Sequence, residues 1–290
     1  MYSSIYKSPS QFLPQTLSFI SYLKNLKSCL LSKNFDNLEI EVSLAIENFA
    51  HEYDVEIVYV DEMKFTIHEN FWYKMEPLTE EDINFYLPLL VMELKLYPKD
   101  FIKRIMLKKL ILTNSILYHN DSYEDYRACI PDYEPDTNAL VFSCKERNIK
   151  YIRNVIHHEL FHYIYYRLNG YFENKDDVWE VFNPKGFYYG NKFTWNDSDL
   201  LFNDYAKQCS FVSDFSMASL DEDKAEIFSF LVTSGLDNVD LGKREGVIGK
   251  CLYIKKLMGE FDAYNFFTGK NDFWNKCIQF KKEVCDRYYF

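Results

Sequence analysis

Glycine and proline are scarce in this sequence, with only 9 Gly and 8 Pro among 290 residues. Disordered and low-complexity chains are usually rich in such residues, so neither class fits. The sequence contains no internal repeat. Hydrophobic residues make up 48% and charged residues 27%, which is typical of a folded globular protein. The length is enough for one large domain or two small ones.

Positive charge is also in short supply. Lys and Arg number 33 against 44 Asp and Glu, which gives a net charge of −11. An acidic chain repels phosphate backbones, so we expect no nucleic-acid partner. The same charge favours basic or neutral molecules as substrates.

The seven cysteines are scattered, and no Cys-x-x-Cys pair occurs. An odd number without paired spacing argues against a disulfide framework and against a cysteine-rich zinc site. Such thiols suit a reducing compartment.

Long apolar runs are missing as well. No stretch approaches the roughly 18 uncharged apolar residues of a membrane span. Near the N-terminus, Lys24 and Lys27 interrupt the apolar run, and no basic region precedes it, so we predict no cleavable signal peptide. The predicted location is the cytoplasm, or outside the cell by a route without a cleavable signal.

Strands and helices are predicted from the period of the hydrophobic residues. Predicted strands lie at 55–61, 106–116 and 139–143. Predicted helices lie at 79–97, with Pro88 as a kink or break, at about 145–169, and at 219–235, 246–261 and 272–288. The segment 1–70 is predicted to be mostly helical, either as a separate unit or as part of the same domain as residues 71–290.

The helix at about 145–169 contains the stretch "VIHHELFHYI", and Ser143 with Glu146 is predicted to cap it. His158 and His162 are spaced i and i+4, so both imidazoles lie on one face and can reach one zinc ion. Glu159 is placed to take a proton from a water molecule at the open position of such a site. The neighbouring His157 is predicted to be a core histidine or an outer partner of the site.

A catalytic zinc ion needs a third protein ligand. The HExxHxxGxxH pattern is excluded because Tyr165 and Leu168 stand where Gly and His are required. No histidine follows His162, so the ligand should be a carboxylate. The candidates are Glu173, Glu180, Glu222 and Glu226.

Glu222 and Glu226 are favoured because they form an i, i+4 pair on a predicted helix. In that arrangement Glu222 binds zinc while Glu226 accepts the N–H of a ligating histidine. Ser219 and Glu222 also fit a helix-capping box, which is a structural alternative for Glu222. Capping does not explain Glu226, which lies in an apolar run.

The segments "HHELFH" and "FVSDFSMASLDEDKAEIFSF" together resemble gluzincin-type zinc metallopeptidases. They are most similar to the putative bacterial zinc-binding metallopeptidases and to the lethal-factor-like catalytic domain. The resemblance covers about residues 90–235. It implies one Zn²⁺ per chain on His158, His162 and Glu222, with Glu159 as general base and Glu226 orienting a histidine.

The resemblance also implies a tyrosine seven residues before the ligand Glu, where it helps to stabilise the oxyanion. This sequence has Phe215 there, which has no hydroxyl group. Other tyrosines would then have to supply the oxyanion or substrate contact. The candidates are Tyr205, Tyr188 and Tyr189.

Together these features predict an α+β, zincin-like metallopeptidase fold with a central HExxH helix, a small mixed sheet and a helical C-terminal part. The predicted function is a monomeric zinc-dependent peptidase, with a role as a toxin or effector protease as a further prediction. Its protein or peptide substrate is expected along an edge strand at 139–143, against an aromatic loop at 179–195. The alternative is a non-catalytic zinc-binding protein of the same fold that acts as a protein-binding module.

Overall fold

The computed structural model of the protein describes residues 38–68, 71–120, 123–127, 129–132, 138–170, 175–190, 210–233, 244–261, 266–267 and 273–280. By their contacts these residues form two compact units, one up to Ile152 and one from Arg153 onward. Both helices and strands are present, as predicted for an α+β fold. The division of the chain into a segment 1–70 and a domain 71–290 stays a prediction.

The first unit combines helices with two sheets. Its helices are α1 (Leu38–Tyr53), α2 (Glu80–Leu94) and α3 (Lys99–Arg104). Its strands are β1 (Glu56–Tyr59), β2 (Lys64–His68), β3 (Phe71–Met75), β4 (Lys109–Thr113), β5 (Ile116–Asn120), β6 (Tyr123–Arg127), β7 (Cys129–Asp132) and β8 (Ala139–Ser143). The described strands form two four-stranded sheets, in the orders β1-β4-β8-β7 and β2-β3-β5-β6.

The first sheet is mixed, as predicted, because β1, β4 and β8 run parallel while β7 is antiparallel. The predicted strand at 106–116 was only partly right. It is present from Lys109 to Thr113 as β4, and Ile116 already begins β5 of the other sheet. Apolar side chains of both sheets pack together in one buried cluster. Its members are Val60, Met75, Ile111, Ile116, Ala139 and Val141.

Strand β8 was predicted to be an edge strand along which a substrate would lie, and this prediction was wrong. Its backbone pairs with β4 on one side and with β7 on the other. Both hydrogen-bonding edges of β8 are therefore taken, and an extended peptide cannot add to it. The paired residues of β7 include Pro131 and follow no alternating pattern, which is why the sequence did not predict this strand.

Helix α2 begins with the predicted acidic turn. Thr79 and Asp82 form a reciprocal capping box, in which the Thr79 Oγ1 accepts from the backbone N–H of Asp82 and the Asp82 carboxylate accepts from that of Thr79. The buried Asp82 also accepts from Asn114 Nδ2 at 3.0 Å and pairs with Arg147. Pro88 lies inside α2 without splitting it. One carboxylate thus joins the helix to two loops that follow strands.

Replacing Asp82 by Asn is expected to lower the free energy of unfolding near pH 7 by about 1–3 kcal/mol, because charge-assisted hydrogen bonds are lost. Burial raises the pKa of Asp82, but hydrogen bonds from Thr79, Arg147 and Asn114 outweigh this and hold the pKa below its ordinary value. Below about pH 4 the unfolded chain therefore takes up a proton first. The stabilisation by Asp82 is lost as the pH falls further through the folded pKa.

Urea denaturation of the wild type and the Asp82→Asn variant, near pH 7 and near pH 3, measures this effect. The difference in unfolding free energy should shrink at the acidic pH. An equal difference at both pH values would contradict the assigned role of the Asp82 carboxylate.

Helix α4 (Ile149–Asn169) carries the His158–His162 stretch, as predicted. The predicted Ser143–Glu146 capping box was wrong. Ser143 belongs to β8 and donates its hydroxyl hydrogen to the Asn114 carbonyl at 2.9 Å. Asn148 caps the helix instead, since its side-chain oxygen accepts from the Tyr151 N–H at 3.3 Å. A strand paired along its whole length cannot also supply the first turn of a helix.

The second unit is helical in its described residues. Its helices are the greater part of α4, α5 (Asp177–Glu180), α6 (Leu220–Thr233), α7 (Glu245–Glu260) and α8 (Phe273–Phe280). Helix α6 packs against α7 and α8. The Phe228 ring of α6 lies 5.0 Å from that of Phe161 on α4 and 6.4 Å from that of Phe273 on α8. Aromatic packing therefore fixes α6 beside the helix that carries the histidines.

The predicted helices at 219–235 and 246–261 are confirmed within one or two residues at each end. The predicted helix at 272–288 is present from Phe273 to Phe280, and the rest lies outside the described residues. Among the described helices, none has the length and apolar character needed to cross a bilayer.

Candidate metal centre

Three side-chain atoms from two helices converge in the second unit. The His158 Nε2 lies 2.8 Å from Glu222 Oε2 and 3.1 Å from His162 Nε2, and the His162 Nε2 lies 3.2 Å from Glu222 Oε2. The two histidines are one turn apart on α4, and Glu222 lies in the first turn of α6. The structure thus brings together two imidazoles and one carboxylate that could hold a metal ion.

The spacing of these atoms suits a tetrahedral cation. Ligand atoms bound to one Zn²⁺ at about 2.0–2.1 Å lie about 3.3 Å from each other. The three observed separations, from 2.8 to 3.2 Å, are slightly shorter than that. His158 and His162 are buried, and Glu222 is half-buried. Two histidine nitrogens and one carboxylate oxygen form the kind of three-ligand donor set that catalytic zinc sites use.

Hydrogen bonding alone does not account for the three contacts. A carboxylate oxygen only accepts, so each histidine would need a proton on Nε2 to bond Glu222. Those two protons would then face each other across the contact between His158 and His162. At most two of the three contacts can be hydrogen bonds, whereas a cation satisfies all three lone pairs at once.

Glu226 completes the surroundings of His158. Its Oε1 lies 2.8 Å from His158 Nδ1, and its Oε2 accepts the hydroxyl hydrogen of Ser213 at 2.6 Å. The Ser213 oxygen in turn accepts from the backbone N–H of Ser216 at 3.1 Å. With Nδ1 donating to Glu226, a neutral His158 directs the lone pair of Nε2 toward the other two ligating atoms.

The carboxylates set the protonation of the group. Burial lowers the pKa of His158, but hydrogen bonds to Glu222 and Glu226 outweigh it and hold the pKa well above its usual value. Burial raises the pKa of Glu222, but His162 and His158 bring it well below its usual value. A proton and a metal ion therefore compete for the same lone pairs.

Replacing Glu226 by Gln is expected to weaken zinc binding by about 10- to 100-fold, because an amide lacks the charge that favours His158 as a ligand. Competition with a chromophoric chelator measures the zinc dissociation constant. Replacement of the exposed Glu180 by Gln is a matched control that should leave the constant unchanged. Equal zinc affinities of the Glu226→Gln variant and the wild type would contradict the role given to Glu226.

The other predicted residues are placed as follows. Glu159 is half-buried directly after His158, and His157 is fully buried. Of the alternative ligands, Glu180 is exposed on α5, and Glu173 lies outside the described residues. Ser219 does cap α6, since its Oγ accepts from the Glu222 N–H at 3.2 Å. This cap uses only the backbone N–H of Glu222, so it leaves the Glu222 carboxylate to its contacts with His158 and His162.

The tyrosines named as substrate contacts differ in their surroundings. Tyr188 is 85% exposed, and Tyr205 lies outside the described residues. The Tyr189 hydroxyl donates to Asp223 at 2.6 Å and accepts from Trp179 Nε1 at 3.0 Å. Tyr189 therefore takes part in a buried polar network, and its oxyanion role stays a prediction.

Phe215 lies beside the histidines, with its ring centre 5.8 Å from that of His158. It is the first residue of a short 3-10 helix, Phe215–Met217, which precedes α6. The ring supplies an apolar wall to His158 and no hydrogen-bond donor.

Sequence reasoning missed the Ser213 hydroxyl and the buried charges around Asp223. Ser213 lies in an irregular segment without periodicity. Lys250 lies on an amphipathic helix, where a lysine usually faces solvent. Nothing in the sequence next to Ser213 or Lys250 indicates which residue it contacts.

The sequence matches no protein-family model and no curated protein. A solved structure shares its fold: a crystal structure of a putative zinc-binding metallo-peptidase from Bacteroides caccae, with a TM-score of 0.50. The two sequences are 15% identical, and the match covers 89% of this chain and 97% of that chain. At this identity the likeness shows a metallopeptidase-like α+β fold. The gluzincin and lethal-factor-like subtypes stay predictions.

Proposed function

We propose that this protein is a zinc-dependent peptidase. The observation that carries the proposal is the convergence of His158 Nε2, His162 Nε2 and Glu222 Oε2 within 4.8 Å of one another. The likeness to a zinc-binding metallo-peptidase fold supports it. His158, His162 and Glu222 would hold the ion, and the fourth coordination position would be left for water and substrate.

In this proposal the residues of the chain have separate tasks. Zinc, when bound, supplies a Lewis acid that polarises the peptide carbonyl and makes water acidic enough to react near neutral pH. Glu159 accepts the proton of the attacking water and passes it to the nitrogen of the leaving amine. Glu226 holds His158 in one tautomer through Nδ1. The net charge of −11 favours basic or neutral peptides as substrates.

A second function is favoured by one observation, the Phe215 ring beside His158. Phenylalanine cannot donate a hydrogen bond to a developing oxyanion, and one missing donor can cost about 10²- to 10³-fold in rate. The same zinc site would then belong to a protein that binds other proteins without cleaving them. A role as toxin or effector remains a prediction under either function.

Two measurements test the proposal. Elemental analysis after purification with zinc should find about one equivalent per chain. A proteome incubated with the wild type should then gain new peptide N-termini that are missing after incubation with the Glu159→Gln variant. Zinc without new N-termini would favour the binding function, and less than about half an equivalent of zinc would contradict both.

A further inference from the structure

Two charged residues that follow Glu222 are buried. Asp223 is 0% exposed and Lys224 is 1% exposed, and both lie near the start of α6. Charged side chains are almost never fully buried without a partner. Their partners come from separate elements of the second unit.

Asp223 is bound by donors from three places in the sequence. Its Oδ2 accepts from Lys250 Nζ of α7 at 2.6 Å, from Trp179 Nε1 of α5 at 2.9 Å and from the Tyr189 hydroxyl at 2.6 Å. Both side chains of the ion pair with Lys250 are fully buried. Lys250 Nζ also donates to the Ser210 carbonyl at 2.8 Å.

Lys224 forms a second buried ion pair. Its Nζ lies 2.9 Å from Asp176 Oδ2, with side-chain exposures of 1% and 8%. The Asp176 Oδ1 caps α5 by accepting from the Trp179 N–H at 3.0 Å. Lys224 also donates to the hydroxyl of Tyr165, which lies on α4 three residues after His162, at 3.3 Å.

Stability alone does not explain two adjacent buried ion pairs. The cost of removing two charges from water commonly cancels the attraction between them, and a well-packed apolar pair is often as stable. Here the cost is raised further, since Asp223 Oδ1 has no hydrogen-bond partner among the described residues. Unlike apolar contacts, ion pairs and hydrogen bonds fix the orientation of the side chains that form them, and so of the helix that carries these side chains.

The orientation of α6 about its axis determines where the Glu222 side chain points. Successive residues of an α-helix are turned by about 100°, so Glu222 and Glu226 share a face. Asp223 and Lys224 project about 100° and 200° away from Glu222, toward different partners. Polar contacts therefore hold α6 on three sides, and a rotation that moved Glu222 away from His158 would break the ion pairs.

We propose that Asp223–Lys250 and Lys224–Asp176 are positioning pairs for the metal centre. They fix the rotation of α6 and so hold the Glu222 carboxylate against His158 and His162. The inference rests on the proposed zinc function. It assigns no contact with substrate or metal to the four paired residues.

The test compares metal affinity with stability in the full-length protein. The Lys250→Met variant leaves the buried Asp223 charge uncompensated, and its metal-free Tm should fall. The double variant Asp223→Asn, Lys250→Met removes both charges with little change of shape. The metal-free Tm of this double variant should return most of the way to that of the wild type. Its zinc dissociation constant should nevertheless be about 10- to 100-fold higher than that of the wild type.

A pair with only a structural role gives a different result. Zinc affinity would then recover together with the Tm in the double variant, and this outcome overturns the inference. The double variant Lys224→Met, Asp176→Asn provides the same comparison if the first does not fold, because Asn also caps helices. The Arg147→Met variant is the control: it breaks the ion pair with Asp82, and should lower the Tm without changing zinc affinity.

The two proposals fail in distinguishable ways. A wild-type protein that binds no zinc overturns both the zinc function and the positioning role. A wild type that binds zinc, with double variants that bind it equally well, overturns the positioning role alone.

Discussion

Replacement of Glu159 by Gln is expected to lower the rate of peptide cleavage by about 10²- to 10⁴-fold while leaving zinc bound. Glutamine has nearly the same shape as glutamate but cannot accept the proton of the attacking water. Glu159 is not one of the three residues whose side-chain atoms converge at the candidate metal centre. The change should therefore affect kcat and spare metal affinity.

The measurement uses a peptide that spans a cleavage site found by the search for new N-termini. We expect a large fall in kcat/KM for the Glu159→Gln variant with an unchanged zinc content. Glu180→Gln is the matched control, since it makes the same chemical change on an exposed residue of α5 and should keep the wild-type rate.

Two outcomes would contradict the role of Glu159. A Glu159→Gln variant with the wild-type rate would show that another group takes the proton. A variant that loses its zinc would show that Glu159 maintains the metal site, and a loss of cleavage could then not be assigned to proton transfer.

The local parts of the site could be predicted from the sequence. His158 and His162 are one helical turn apart, so the helix alone places both imidazoles on one face. The acidic first turn of α2 was predictable for the same reason, because Thr79 and Asp82 are three residues apart and bond each other. In both cases a few neighbouring residues determine the geometry.

Contacts between distant residues were predicted less well. Glu222 is separated from His162 by sixty positions, and only its pairing with Glu226 and the family resemblance distinguished it from Glu180. Lys250 carries no such signal, because its burial depends on Asp223 of another helix. The pairing of β8 with β7 was missed for the same reason, since a strand partner is chosen by the tertiary fold.

The buried charges also explain why α6 is hard to interpret by periodicity alone. Asp221, Glu222 and Asp223 are typical of a helix N-terminus, where negative charges interact favourably with the positive end of the helix dipole. In the structure Asp223 binds Lys250, while the Glu222 carboxylate contacts His158 and His162. One acidic run thus contains an ion-pair partner and a candidate ligand, and only the contacts tell these roles apart.

Replacement of Glu222 by Ala is expected to weaken zinc binding by more than about 100-fold. Loss of a residue that only hydrogen-bonds a ligand, as Glu226 does, weakens metal binding by up to roughly 100-fold. Only His158 and His162 would remain of the three converging groups, and two ligands rarely hold zinc in a protein site. Helix α6 should still form, because Ser219 caps it through the backbone N–H of residue 222.

Zinc affinity and thermal unfolding together test this prediction. A ligand at about 100 times its dissociation constant stabilises a folded protein by about 2.7 kcal/mol, so zinc should raise the Tm of the wild type. The Glu222→Ala variant should lose this rise when its Tm with zinc is compared with its own metal-free Tm. In the Glu180→Ala control, zinc should still raise the Tm.

An unchanged zinc affinity in the Glu222→Ala variant would contradict the assignment of Glu222 as third ligand. The ligand would then be sought among the other carboxylates, beginning with Glu180 and Glu173. If the Glu180→Ala variant lost zinc instead, the contacts of Glu222 with His158 and His162 would be those of an ion pair, and α5 would supply the ligand. The pair of alanine variants therefore decides which helix completes the metal centre.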